Sequence, residues 1–165
     1  MKALFVLLGV FLLALPVLKW QSGRYQAQRA GRIALAAMLL FTGISHFLFT
    51  DGIMAMVPDF LPAQKTLVYL TGVLELIFAG CLLLLGANTW VGWALILFFI
   101  AILPANVKAA MENINYETGD YDGPGFYYLW IRIPLQFFFI TWVYYTTIKK
   151  NPFLDDTSPS YSGAA

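Results

Sequence analysis

The sequence predicts an all-α integral membrane protein, a bundle of five hydrophobic helices in which four form a core and one is added at the N-terminus. Three observations predict it. Of 165 residues, 60% are hydrophobic and 12% are charged, with a mean hydropathy of +0.71. Soluble domains carry about twice that share of charge. Long apolar runs cover residues 3–18, 33–49, 67–86, 90–110 and 127–148. The segments between them alternate in charge: Lys19, Arg24, Arg29, Arg32, Lys149 and Lys150 on one side, Asp51, Asp59, Glu112, Glu117, Asp120 and Asp122 on the other. The positive-inside bias then places the basic segments in the cytoplasm, the N-terminus outside and the C-terminus inside.

Taken in order, run 3–18 makes about 24 Å of helix, short for a hydrocarbon core of about 30 Å. A signal peptide is the rival reading, because Lys2 precedes the run. No clear small-x-small cleavage site follows, and cleavage would strand the basic connector 19–32 outside, so an uncleaved helix is expected. The second run contains the small packing residues Ala34 and Ala37. Residues 50–64, with Pro58 and Pro62, read as an irregular interfacial segment. Run 67–86 lacks a polar stripe and is interrupted by Glu75 alone. Asn88 or Thr89 is a candidate N-cap for the next helix, and Trp90 and Trp93 suit an interfacial belt. Ala101, Ala105 and Ala109 recur every four residues as a packing seam. Residues 111–126 are acidic; Asp120-Tyr121-Asp122-Gly123 lacks the spacing of a calcium loop and reads as a solvated turn. The last run enters through Tyr127, Tyr128 and Trp130, leaves through Trp142, Tyr144 and Tyr145, and ends at the anchor Lys149-Lys150. Residues 1–19 are thus an N-terminal transmembrane helix, 20–148 a four-helix membrane core, and 149–165 a disordered cytoplasmic tail.

Few chemistries are open to this chain. A net charge of +1 argues against a nucleic-acid partner. The single cysteine, Cys81, excludes an intrachain disulfide and reads as inert packing. The single histidine, His46, excludes a bis-histidine haem or a histidine-rich zinc site within one chain, and no metal site is expected. No nucleotide motif occurs, and no catalytic residue is assigned.

What remains is a set of polar residues at membrane depth: His46, Glu75, Asn106, Arg132 and Gln136, all expected in the outer half of the bundle. Such groups face a bundle interior or a water-filled cavity. They predict one polar pocket beneath loops 50–64 and 111–126, serving as a ligand or proton site. Arg132 and Gln136, four apart, share a helix face. Glu75 is expected to pair with Arg132, the one arginine within an apolar run. The structural alternatives are specific: an ion pair that locks the bundle, an interhelical histidine, bridging amides at Asn106 and Gln136, and Lys108 snorkelling to the outer headgroups. Pro104 and Pro134 bend their helices and free carbonyls that could line a site.

Gly43-Ile44-Ser45-His46-Phe47, Pro58 to Pro62, Tyr69 to Glu75, Asn106, and Arg132-Ile133-Pro134-Leu135-Gln136 leading to Trp142 together resemble the DoxX-like membrane proteins. The resemblance covers roughly residues 30–148. It implies a small four-helix core in a bacterial cytoplasmic (inner) membrane, to which run 3–18 is an addition suited to docking a partner. Members of that family are associated with a quinol oxidase, with thiosulfate–quinone oxidoreduction or with other redox proteins. The resemblance therefore implies an accessory subunit of a respiratory or other redox complex, with protein partners in the lipid bilayer. A protein that binds quinone or a small anion through its polar pocket is the second expectation, and a small transporter the third. No internal repeat supports the transporter. The chain carries no electron carrier of its own, so a quinone is the one cofactor considered.

Overall fold

The computed structural model describes residues 2–86, 88–115, 117–123 and 125–149. Apart from Lys149, the predicted tail, with the anchor Lys150, lies outside the described residues. Every regular element among the described residues is helical: α1 (Lys2–Ser22), α2 (Ala27–Leu48), α3 (Thr50–Met56), α4 (Gln64–Leu84), α5 (Thr89–Ala101), α6 (Leu103–Met111) and α7 (Phe126–Val143), which continues as a π-helical turn over Tyr144–Ile148. Four stretches are long and apolar enough to cross a membrane: Lys2–Ser22, Ala27–Leu48, Gln64–Leu84 and Thr89–Met111. They do not include α7, on which the fifth expected span falls.

Several boundaries differ from the sequence reading, each for a local reason. Helix α1 is 21 residues long, about 31 Å, and so is not short for a bilayer. It runs through Pro16 and stops at Gly23, whose φ of +70° supplies the left-handed cap that ends helices. Helix α2 starts at Ala27, which shrinks the expected connector 19–32 to four residues, 23–26. Its first turns are held from the side: Gln28 Nε2 donates to the carbonyls of Tyr145 and Lys149, and an Arg32 guanidinium nitrogen to that of Thr146. Segment 50–64 is not wholly irregular, since Thr50–Met56 forms one short helix before Pro58. Run 90–110 is two helices that meet at Ile102, with Pro104 in the first turn of α6, where its missing N–H costs nothing. Asn88 caps α5 as expected, its side-chain oxygen accepting from the Trp90 N–H at 2.9 Å.

The core lies between α2, α4, α5 and α7. Leu35, Met38 and Leu39 of α2 meet Ala79 and Leu82 of α4, Leu95, Phe98 and Phe99 of α5, and Leu135, Phe139 and Val143 at the α7 end. Helix α1 adds Leu7 to this core, and its Phe11 packs edge-on against Trp142 at 4.9 Å. Its other faces leave Phe5, Leu12, Leu13 and Trp20 exposed, as lipid-facing residues would be. Ala34 is buried as expected, and Ala36 more so than Ala37. The alanine seam is only partly used. The break at Ile102 leaves Ala101 exposed, while Ala105 and Ala109 pack against Met56 of α3. Trp142 turns inward rather than joining a belt, donating to the Gly31 carbonyl at 3.1 Å.

The two ends of the bundle keep their charge character. Lys2 of α1 pairs with Glu117 in the loop before α7, so the N-terminal end and the acidic loop share one side. Gln28 and Arg32 reach the residues after α7 at the opposite, basic end.

Candidate functional site

The site begins with two glycines. Helices α2 and α4 cross where Gly43 faces Gly72. A Cβ built on Gly72 would lie 2.8 Å from His46 Cβ and 3.2 Å from the Gly43 carbonyl oxygen; one on Gly43 would lie 3.1 Å from the Gly72 carbonyl oxygen. Each helix then carries its polar residue three positions on, His46 after Gly43 and Glu75 after Gly72. Three residues on a helix is nearly one turn, so the close backbone approach places imidazole beside carboxylate. His46 Nδ1 is 3.8 Å from Glu75 Oε2.

Glu75 is 5% exposed. It is also deeper than the sequence suggested. Because α4 starts at Gln64 rather than Leu67, Glu75 is near the middle of the helix, not in its outer half. His46 Nδ1 is 2.9 Å from the Thr42 carbonyl, a geometry in which Nδ1 carries the hydrogen. The Thr42 side chain also lies beside the Glu75 carboxylate, although its hydroxyl is shared with the Met38 and Leu39 carbonyls. Glu75 Oε2 itself is buried and accepts no hydrogen bond.

The expected Glu75–Arg132 ion pair does not form as a contact. Arg132 Nε donates to Asn106 Oδ1 at 3.1 Å. Its charge still acts on Glu75 across the intervening space. Gln136 shares the Arg132 face and donates through Nε2 to the Phe99 carbonyl at 2.6 Å. That carbonyl lies in the last turn of α5, where helical acceptors lose their own partners. The five predicted residues therefore form two neighbouring groups, His46 with Glu75, and Arg132 with Asn106, while Gln136 secures the break between α5 and α6.

None of the five is among the walls of the two cavities described next. A cavity of about 330 Å³ does lie under the predicted loops, but Phe47, Thr50, Asp51, Lys65, Tyr69 and Glu117 are among its walls, with neither Glu75 nor His46. A second, of about 370 Å³, lies at the basic end.

Lys108 departs from its expected role. Instead of snorkelling, it donates to Asp59 Oδ1 at 2.7 Å and to the Val57 carbonyl at 3.0 Å, clamping the segment after α3 onto α6. Lys108 holds the Asp59 carboxyl below its usual range, first through this hydrogen bond and then through its charge. A carboxyl lowered in the folded state adds stability above the unfolded carboxylate range, and that stability is lost as pH falls through the lowered folded value. Asp59→Asn is therefore expected to melt below the parent at neutral pH, with the two curves converging in acid. Thermal unfolding in detergent across that range measures it, and a constant difference at every pH would refute the clamp.

The family model described as Domain of unknown function (DUF8561) matches residues 35–147. The chain belongs to that family. The DUF8561 match contains all five site residues and begins at Leu35, so α1 and the start of α2 lie outside it. No curated protein and no solved structure matches the chain.

Sequence reasoning missed Gly43, Gly72 and Thr42 as parts of the site. Both glycines occur in the stretches 43–47 and 69–75 that carry the DoxX-like resemblance, but a glycine in a helix signals close packing only when its partner helix is known.

Proposed function

We propose that this DUF8561 member is a DoxX-like protein of a bacterial cytoplasmic membrane, crossing it five times with its N-terminus outside, and that it is an accessory subunit of a respiratory or other redox complex. Its contribution is a proton-binding site at Glu75, with His46 as the adjoining donor and acceptor. One observation carries this reading: a carboxylate oxygen at mid-helix, buried, without a hydrogen bond, 3.8 Å from the only histidine. A charged carboxylate so placed is costly, and its missing partner must be a donor. A small anion would bring like charge up to the carboxylate. A quinone head group needs a cavity, and the two cavities described above have other walls. A proton satisfies both requirements. The redox assignment rests on the DoxX-like resemblance and on the absence of an electron carrier from the sequence, which leaves electron transfer to partners. Helix α1, outside the matched residues and joined to the bundle along one side, suits the docking of such a partner.

Purification of the full chain from its native membrane in mild detergent is expected to recover redox subunits with it. Glu75→Gln is expected to leave that set unchanged and to slow quinol turnover by about a hundredfold, the scale of a lost proton-transfer group. Elution of the chain alone would refute the accessory role. Unchanged turnover in an assembled Glu75→Gln complex would refute the proton site.

A further inference from the structure

The cavity at the basic end is a groove between α1, α2 and the end of α7. Phe11, Phe138 and Trp142 wall its deep part, and Gln28, Tyr145 and Lys149 its mouth. We propose that this groove holds one anionic phospholipid, its acyl chain against the aromatic wall and its headgroup at Lys149.

The length fits. From Phe138 to Lys149 is about 16 Å along the helix, close to half of a hydrocarbon core of about 30 Å. The groove thus runs from near the middle of the bilayer to one surface, the path of an acyl chain in a single leaflet. Its deep walls are aromatic apart from Thr141 and carry no charge for a headgroup.

The charge fits as well. At the mouth, Lys149 is exposed with its ammonium 4.9 Å from the Tyr145 ring centroid. Arg29 is exposed on the first turns of α2, near enough to act on Arg32, whose guanidinium bonds the Thr146 carbonyl in the groove wall. Lys19 and Arg24 lie in and after the last turn of α1 at the same end. Among the described residues no Asp or Glu belongs to this end; Asp51, Asp59, Glu112, Glu117, Asp120 and Asp122 are all on the opposite loops. The carbonyls that close the α7 segment would repel an anion, but Gln28 and Arg32 already occupy those of Tyr145, Thr146 and Lys149. The uncapped start of α2 at Ala27 borders the groove too and faces it with positive rather than negative helix polarity. Basic pockets between transmembrane helices at the cytoplasmic surface take acidic headgroups on these grounds. The site is independent of the Glu75 reading, with which it shares no residue.

Native mass spectrometry of the full chain in mild detergent, with phosphatidylglycerol or phosphatidylcholine added at equal concentration, tests the assignment. Phosphatidylglycerol is expected to be retained at least about tenfold better, since each basic side chain near the headgroup is worth about fivefold. Arg29→Gln with Lys149→Gln, both exposed positions, should remove most of that preference and leave phosphatidylcholine retention as it was. Thr141→Trp, which fills the groove from an exposed position, should lower retention of both lipids. Equal retention of the two lipids by the parent, or a preference that survives loss of both charges, overturns the proposal. Competition by glycerol phosphate as effective as by the whole lipid overturns it too, because the acyl chain would then contribute nothing.

Discussion

Gly72→Leu is expected to destabilise the bundle by about 3 kcal/mol, at the upper end of overpacking effects. The reason is what the new side chain meets. At Gly72 even a Cβ reaches His46 Cβ at 2.8 Å and the Gly43 carbonyl at 3.2 Å. Neither neighbour is the far end of a flexible side chain, so α2 and α4 must separate. Gly72→Ala should show the same effect at about 1–2 kcal/mol. Gly80, two turns further along α4, is the control: nothing lies within 4 Å of its Cβ position. Gly80→Leu should change stability by no more than about 0.5 kcal/mol. Reversible unfolding in mixed micelles gives all three values. Equal effects at Gly72 and Gly80 would mean that leucine is disfavoured in α4 for some reason other than the crossing. Separation of the helices should also draw His46 away from Glu75, so Gly72→Ala is expected to weaken any coupling between those residues.

The helical membrane class was legible because it depends on composition and on run length, both local properties. So was the polar set, since an ionisable residue in an apolar run stands out wherever the helices go. What the sequence could not supply was the rotation of each helix. Glu75 was matched to Arg132 by elimination of other arginines, but a charge at depth needs hydrogen bonds before it needs a countercharge. The break at Ile102 turns Asn106 towards Arg132, and a neutral amide accepts from the guanidinium Nε. Lys108 was read as snorkelling because its helix was expected to end at a headgroup layer. Segment 57–59 instead folds back over α6 and supplies Asp59 and the Val57 carbonyl. The basic groove was missed for the same reason. Phe11, Phe138 and Lys149 are far apart in sequence, and no run or spacing brings them together.

The pairing of Glu75 leads to the largest effect expected at the site, and its sign is the informative part. Double-mutant cycles should place the coupling where the contacts are: about 1 kcal/mol or more between Glu75→Gln and His46→Gln, as for residues in contact, and a smaller value between Glu75→Gln and Arg132→Gln. A larger Glu75–Arg132 coupling would refute the arrangement. Glu75→Met is the stronger test. Methionine fills a similar volume, makes no demand for a hydrogen-bond donor and removes a carboxylate oxygen that has none. The variant is therefore expected to be more stable than the parent by about 1–3 kcal/mol, the usual cost of an unsatisfied buried polar group. If Glu75 were a structural lock, the opposite sign would follow, because its loss would leave His46 and Arg132 without the charge they face. A stabilised protein whose complex has lost turnover would mean that the buried carboxylate is kept at a cost to the fold, as groups retained for chemistry are. A stabilised protein with full turnover would mean that Glu75 serves neither purpose. Unfolding free energies of Glu75→Met and the turnover of its assembled complex, measured on the same preparation, separate the three cases.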